Sequence, residues 1–109
     1  MKKKNILIVG GTGFIGYHLS KKCLNLGWKV DSISTTYPNT KRFIKDVNYH
    51  ICDIRKKGDL KKINRNFEYI VNLGGYVDHS NKKKTYESHY IGCKNLANLF
   101  LKKKIKSFI

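Results

Sequence analysis

By hydropathy alone, the chain alternates short apolar runs with segments of helical period. Ile6-Leu7-Ile8-Val9 is continuous and apolar, the pattern of a strand covered on both faces in a parallel sheet. Ile15, Leu19, Cys23 and Leu26 then fall on one helical stripe, and Gly27 stands where such a helix would end. "WKVDSIS" (28–34) predicts a second strand, and "TTYPNTKR" (35–42), which holds the single proline, predicts a loop. "VNYHICDI" (47–54) predicts a third strand, "GDLKKINRNF" (58–67) a short helix and "YIVNLGG" (69–75) a fourth strand. Tyr86, Tyr90, Cys93, Ala97 and Phe100 keep helical spacing, and "KSFI" (106–109) opens a fifth strand. Strands alternating with helices through short connections predict an α/β fold, a parallel sheet covered by helices.

The first strand runs into "GGTGFIG" (10–16), whose glycines satisfy G-x-G-x-x-G from Gly11 and G-x-x-G-x-x-G from Gly10. Glycines also serve ordinary turns, so the spacing alone is weak evidence. Its place between a predicted strand and a predicted helix gives it meaning. A tight turn off the strand needs glycine backbone angles, and a pyrophosphate approaches the main chain only where no Cβ intervenes. A third glycine lets the helix pack closely on the strand, and the helix N-terminus offers free N–H groups to phosphate. The loop is therefore predicted to hold a dinucleotide.

Composition narrows the class. At 109 residues there is length for one core, and 40% hydrophobic residues with one proline fit a folded chain. The formal charge of +16, from 23 basic and 7 acidic residues, raises nucleic-acid binding. Only three of the basic residues are Arg, however, and the Lys are scattered in pairs and triplets over every segment. Nucleic-acid readers lean on Arg for bidentate contacts, so a solvated Lys-rich surface is the favoured reading and nucleic acid is not an expected partner. Cys23, Cys52 and Cys93 are odd in number and far apart, which predicts reduced thiols in a cytoplasmic protein, without a disulfide frame or zinc site. The basic start and the run Ile6–Val9 look superficially like a signal peptide, but glycines interrupt the run and no cleavage site follows. No stretch has transmembrane length, so no membrane partner is expected.

With these motifs in place, the sequence resembles the extended short-chain dehydrogenases, also called NAD-dependent epimerase/dehydratases, over the whole chain. "ILIVGGTGFIG" is similar to the family's cofactor loop, with Gly10, Gly13 and Gly16 at its three glycine positions and Gly11, Thr12, Phe14 and Ile15 between and beside them. "CDI" resembles the pair after strand three, which puts Asp53 and Ile54 beside an adenine. "VNLGG" sits where the family lines the nicotinamide side, which implies roles for Leu73, Gly74 and Gly75. "HYIGCKNLANLF" resembles the family's N-V-x-G-T-x-N-L-L helix, with His89 in place of the Asn and Cys93 in place of the Thr. The resemblance implies a Rossmann-type doubly wound parallel sheet, of which residues 1–109 supply the N-terminal NAD(P)-binding portion of about five strands. NAD-selective members carry an acidic residue at the end of strand two; here Ser34 stands there, with Asp31 mid-strand and Lys41 and Arg42 in the next loop. NAD and NADP are therefore both admitted as cofactors.

The implied function is the cofactor half of an oxidoreductase, epimerase or dehydratase acting on a nucleotide sugar, with a homodimer as the full-length assembly. A dinucleotide-sensing regulatory module and an RNA-associated relative are the alternatives. The family's catalytic Ser or Thr follows strand five and its Tyr-x-x-x-Lys pair lies beyond, so the chain is expected to stop short of catalysis and to have no activity alone. Tyr37…Lys41 and Tyr90…Lys94 share the Tyr–Lys spacing but precede strand five. Asp78-His79-Ser80 spells a hydrolase triad in adjacent positions, where no relay can form. His50 and Cys52 share one strand face without further metal ligands, His18 is expected on the polar side of the first helix, and Lys82-Lys83-Lys84 is expected to be solvated. Left as an open edge, strand five and the uncovered helix faces are expected to make the isolated chain aggregate.

Overall fold

The computed structural model describes residues 3–63, 66–74, 82–100 and 105–109. The elements run β1 (Asn5–Val9), α1 (Phe14–Asn25), β2 (Lys29–Ser34), β3 (Asn48–Ile51), α2 (Lys57–Lys61), β4 (Tyr69–Asn72), α3 (Lys82–Tyr86), a π-helical stretch (Glu87–Gly92), α4 (Cys93–Phe100) and β5 (Ser107–Phe108). The strands form one sheet in the order β3-β2-β1-β4-β5. Every pairing is parallel, with Ile6 opposite Val30 and Tyr69 in the centre. The chain therefore starts in the middle, winds outward through α1 to β2 and β3, then returns to the other side of β1 for β4 and β5. This is the helix-covered parallel sheet that the alternation of elements predicts, in the doubly wound, Rossmann-type order that the family resemblance implies.

The uninterrupted Ile6–Val9 run follows from burial on both faces. Leu7 and Val9 join Ile33, Ile54, Leu60, Ile63, Phe67, Ile70, Leu96 and Phe100 on the face covered by α2 and α4. Ile6 and Ile8 join Cys23, Val30 and Val47 on the α1 face, where Leu19, Trp28 and Ile44 pack against them. Gly27, at φ 82°, ends α1: its N–H donates to Leu24 O (2.9 Å) and that of Trp28 to Cys23 O (3.0 Å). These two bonds close a Schellman motif, the helix stop that the glycine predicted.

Several element details differ from the sequence pattern. The buried stripe of α1 is Gly16, Ser20 and Cys23, whereas Ile15 and Leu26 are 64% and 60% exposed. Small residues win because the helix start presses onto the glycine loop, and Ser20 Oγ turns inward to donate to Gly16 O at 2.7 Å. Strand β3 stops at Ile51; residues 52–55 turn instead, and α2 is one short turn and a half. Tyr86 and Tyr90 are exposed and stack on each other at 5.2 Å, while Gly92, Asn95, Leu96 and Phe100 are buried. The π-helical turn inserts an extra residue between the two halves of the segment, which rotates the buried face away from the tyrosines.

Every lysine whose side chain is described is exposed. Cys23, Cys52 and Cys93 are free thiols, the first two buried. His18 is exposed, as expected, beside the rings of Phe14 and Tyr17. Among the described residues there is no cluster able to hold a metal ion and no helix long and apolar enough to cross a membrane. Asp78, His79 and Ser80 lie outside the described residues.

Candidate functional site

The carboxyl ends of the strands open on a cleft of about 580 Å³ at the point where the strand order reverses. Val9 and Gly10 form its floor and Thr12 and Gly13 one lip. The exit of β2 supplies Ile33, Ser34, Thr35 and Thr36; the turn after β3 supplies Cys52, Asp53, Ile54 and Arg55; the exit of β4 supplies Leu73 and Gly74.

The four loop glycines do different work. Gly10 sits at φ 82°, and a Cβ there would come within 2.8 Å of the Gly74 nitrogen, so the turn off β1 and the approach to β4 both need glycine. The same turn hooks the loop to both neighbours: Gly10 N–H donates to Ile33 O and Leu73 N–H to Val9 O, each at 2.8 Å. A Cβ at Gly16 would lie 2.5 Å from Gly11 Cα and 2.7 Å from Gly10 O, so this glycine lets α1 rest on the loop. A Cβ at Gly11 would overlap the hydroxyl of buried Ser32 beneath it. Gly13 is the exception. Among the described residues, the nearest neighbour to a built Cβ is Gly10 O at 3.6 Å, ordinary contact distance, so no described contact requires glycine there. It faces the cleft, exposed.

Gly13 is also the N-cap of α1, and the first helical bond is Tyr17 N–H to Gly13 O at 2.9 Å. The N–H groups of Phe14, Ile15 and Gly16 precede any acceptor within the helix, no side chain among the described residues caps them, and no acidic residue stands in the first turn. A bare, positive helix end beside an open glycine is a cradle for an anionic group.

Across the cleft, Thr12 Oγ1 donates to Ser34 Oγ at 3.1 Å, pinning the loop to the end of β2. Asp53 is held by Arg55, whose Nε lies 3.0 and 3.2 Å from the two carboxylate oxygens and whose Nη2 lies 2.7 Å from Oδ2. These charge-assisted bonds hold the Asp53 carboxyl below the usual carboxylate range. The turn is closed by Asp59 Oδ2, which accepts from Asp53 N–H at 3.2 Å. Ile54 is set from behind: Asn95 Nδ2 donates to its carbonyl at 2.9 Å, and the bare Cα of Gly92 leaves room for its side chain. Burial, with Asp59 and Asp53 nearby, pushes the Cys52 thiol up to about 11, so it carries no thiolate near neutral pH.

Of the residues singled out in the sequence, Gly10, Thr12, Gly13, Ser34, Asp53, Ile54, Leu73 and Gly74 converge on this cleft. Gly11 and Gly16 lie buried behind the loop, and Phe14 and Ile15 are 65% and 64% exposed on α1, away from the cleft wall. Gly75 lies outside the described residues. Lys41 and Arg42 are not part of the wall; the Arg42 N–H closes a turn on Asn39. Asp31 is buried mid-strand with its Oδ2 2.8 Å from His50 Nε2, far from any role at the strand end. Tyr90 and Lys94 are both exposed outside the cleft wall. The sequence pattern passed over Thr35, Thr36, Arg55 and Asn95. A polar run leaving a buried strand, and a basic residue two positions after Asp53 in a turn, are the signals that point to the first three.

The fold and the cleft define a Rossmann-type nucleotide-binding architecture, and the comparisons place the chain more closely. The family model for the NAD dependent epimerase/dehydratase family matches residues 6–109, and the chain belongs to that family. It is 26% identical to the bifunctional UDP-glucose 4-epimerase and UDP-xylose 4-epimerase 3 of Arabidopsis thaliana, in an alignment covering 98% of this chain and 36% of the relative. It is also 26% identical to the corresponding bifunctional enzyme 1 of Pisum sativum, covering 97% of this chain and 35% of that one. The chain thus spans about a third of the length of the curated relatives it matches. Among solved structures, UDP-glucose 4-epimerase from Thermotoga maritima with UDP-glucose superposes with a TM-score of 0.87 at 22% identity, covering 95% of this chain and 36% of that one. The Bordetella bronchiseptica enzyme WbmF in complex with NAD+ gives 0.84 at 22% identity, covering 97% and 35%. These structures share the fold.

Proposed function

We propose that this chain is the dinucleotide-binding portion of an epimerase- or dehydratase-type enzyme acting on a nucleotide sugar. One observation carries the reading. Gly13 is the loop glycine that no described contact demands, and it stands at the uncapped start of α1, on the lip of the cleft at the strand ends. The cleft fits a nicotinamide dinucleotide in its chemistry. The bare helix start suits the pyrophosphate, Ser34 and its threonine neighbours offer hydroxyls for a ribose, and the apolar side chain of Ile54 with the Asp53 turn suits an adenine. When bound, the nicotinamide would supply hydride transfer; the protein's part is to bind and orient it.

The described cleft carries no group poised for proton transfer. Its thiol is protonated, its carboxylate is saturated by Arg55, and the Tyr90–Lys94 pair lies elsewhere. This supports catalysis residing in residues other than those described in the cleft wall. The test is equilibrium titration of the chain with NADH, followed by nicotinamide fluorescence. Saturable one-to-one binding without interconversion of UDP-glucose and UDP-galactose is the expected result. Absence of binding refutes the dinucleotide reading, and turnover by this chain alone refutes the division of labour.

A further inference from the structure

We propose that the ribose corner of this cleft accepts a dinucleotide bearing a 2′-phosphate at least as tightly as one without it. The inference rests on the dinucleotide reading above and concerns which member of that class is taken. In sheets of this kind, a carboxylate about 20 residues beyond the glycine loop, at the end of the second strand, binds the ribose hydroxyls and repels a phosphate. Here that position exits in three hydroxyls. Ser34 lines the cleft with its Oγ already facing the glycine loop through Thr12, and the exposed Thr35 and Thr36 continue the same wall. Hydroxyls donate to a phosphate oxygen as readily as they accept from a ribose.

The acids that could substitute for the missing carboxylate are engaged elsewhere. Asp31, on the same strand, is buried against His50. Asp53 is the one carboxylate in the described wall, and three contacts from Arg55 occupy both its oxygens. The described wall therefore holds one acid and one base, paired, with no net negative charge to set against a phosphate dianion. Outside the cleft the surface is strongly cationic, which also favours the extra phosphate but only through long-range, salt-screened attraction.

The experiment titrates the full chain with NADH and with NADPH by nicotinamide fluorescence, at low salt and at about 0.3 M salt, where surface charges are screened. The proposal expects NADPH to bind at least as tightly as NADH at both. It also expects Ser34→Asp, with its circular dichroism unchanged, to shift the ratio toward NADH by roughly tenfold or more. Tighter binding of NADH than NADPH by the unaltered chain at the higher salt overturns the proposal without reference to any variant. An unchanged ratio in a folded Ser34→Asp chain overturns the assignment to this corner. Failure to bind either nucleotide instead refutes the parent reading of the cleft.

Discussion

Gly16 and Asp53 show how differently two residues in one motif-bearing site can act. Gly16 belongs to the fold: a methyl group there would meet the backbone of Gly11 and Gly10, which cannot move aside as a flexible side chain could. Gly16→Ala should cost about 1–3 kcal/mol, measured as a lowered urea midpoint, the range typical of overpacking. Asp53 belongs to the electrostatics of the wall. Because Arg55 depresses its folded-state pKa, the pair stabilises the protein above the unfolded carboxyl pKa of about 3.9, and that contribution is lost as pH falls through the lower folded value. Arg55→Ala should therefore flatten the acid limb of the stability curve below about pH 4 and leave little difference from the parent in how stability varies between pH 6 and 8. Denaturant midpoints across that range check it; an acid limb as steep as the parent's would show that Arg55 does not set the Asp53 titration. The sequence marked both positions, since a glycine spacing and an Asp-Ile pair are local patterns. It could not mark Arg55 as the partner, because nothing in the order of residues says that a surface-type side chain folds back over its neighbour.

The segment from α3 to α4 is the element the hydrophobic period misreads. Tyr86, Tyr90, Cys93, Ala97 and Phe100 keep a helical spacing in sequence, yet the π-helical turn at Glu87–Gly92 breaks the phase and leaves the tyrosines outside. Period arguments assume a constant 3.6 residues per turn, and one extra residue per turn defeats them. The buried Asn95 that results is the element's link to the cleft, since its amide satisfies the Ile54 carbonyl behind the wall. Asn95→Leu should leave that carbonyl unpaired in the interior at a cost of about 1–3 kcal/mol, read from thermal or denaturant unfolding. If the variant is as stable as the parent, the bond contributes nothing to holding this wall. Helix α1 offers the opposite lesson. Its boundaries were legible from the glycine loop before it and Gly27 after it, and Leu19 and Cys23 of the expected stripe do face the core; Ile15 and Leu26 do not, because close packing on the loop selects Gly16 and Ser20 over larger apolar neighbours.

At the scale of the molecule, the sheet explains why so much of the fold was legible. Continuous apolar runs mark strands buried on both faces, and the doubly wound order β3-β2-β1-β4-β5 brings the ends of four sequence-distant strands to one cleft. Residues 10, 34, 53 and 73 meet there because each stands at or just past the carboxyl end of a parallel strand, which is why candidates read one by one along the chain converge in space. What remained illegible is what depends on side-chain direction: Phe14 and Ile15 sit within the motif yet turn outward to solvent. The central claim is that Gly13 is glycine for a ligand and not for the fold. Calorimetric titration of NADH into the Gly13→Val chain, beside the parent, addresses it most directly. The account predicts unfolding within about 1 kcal/mol of the parent, since the new Cβ meets no described atom closer than ordinary contact distance and the position is exposed, together with loss of most of the nucleotide affinity. A folded Gly13→Val chain that binds NADH as tightly as the parent would contradict it.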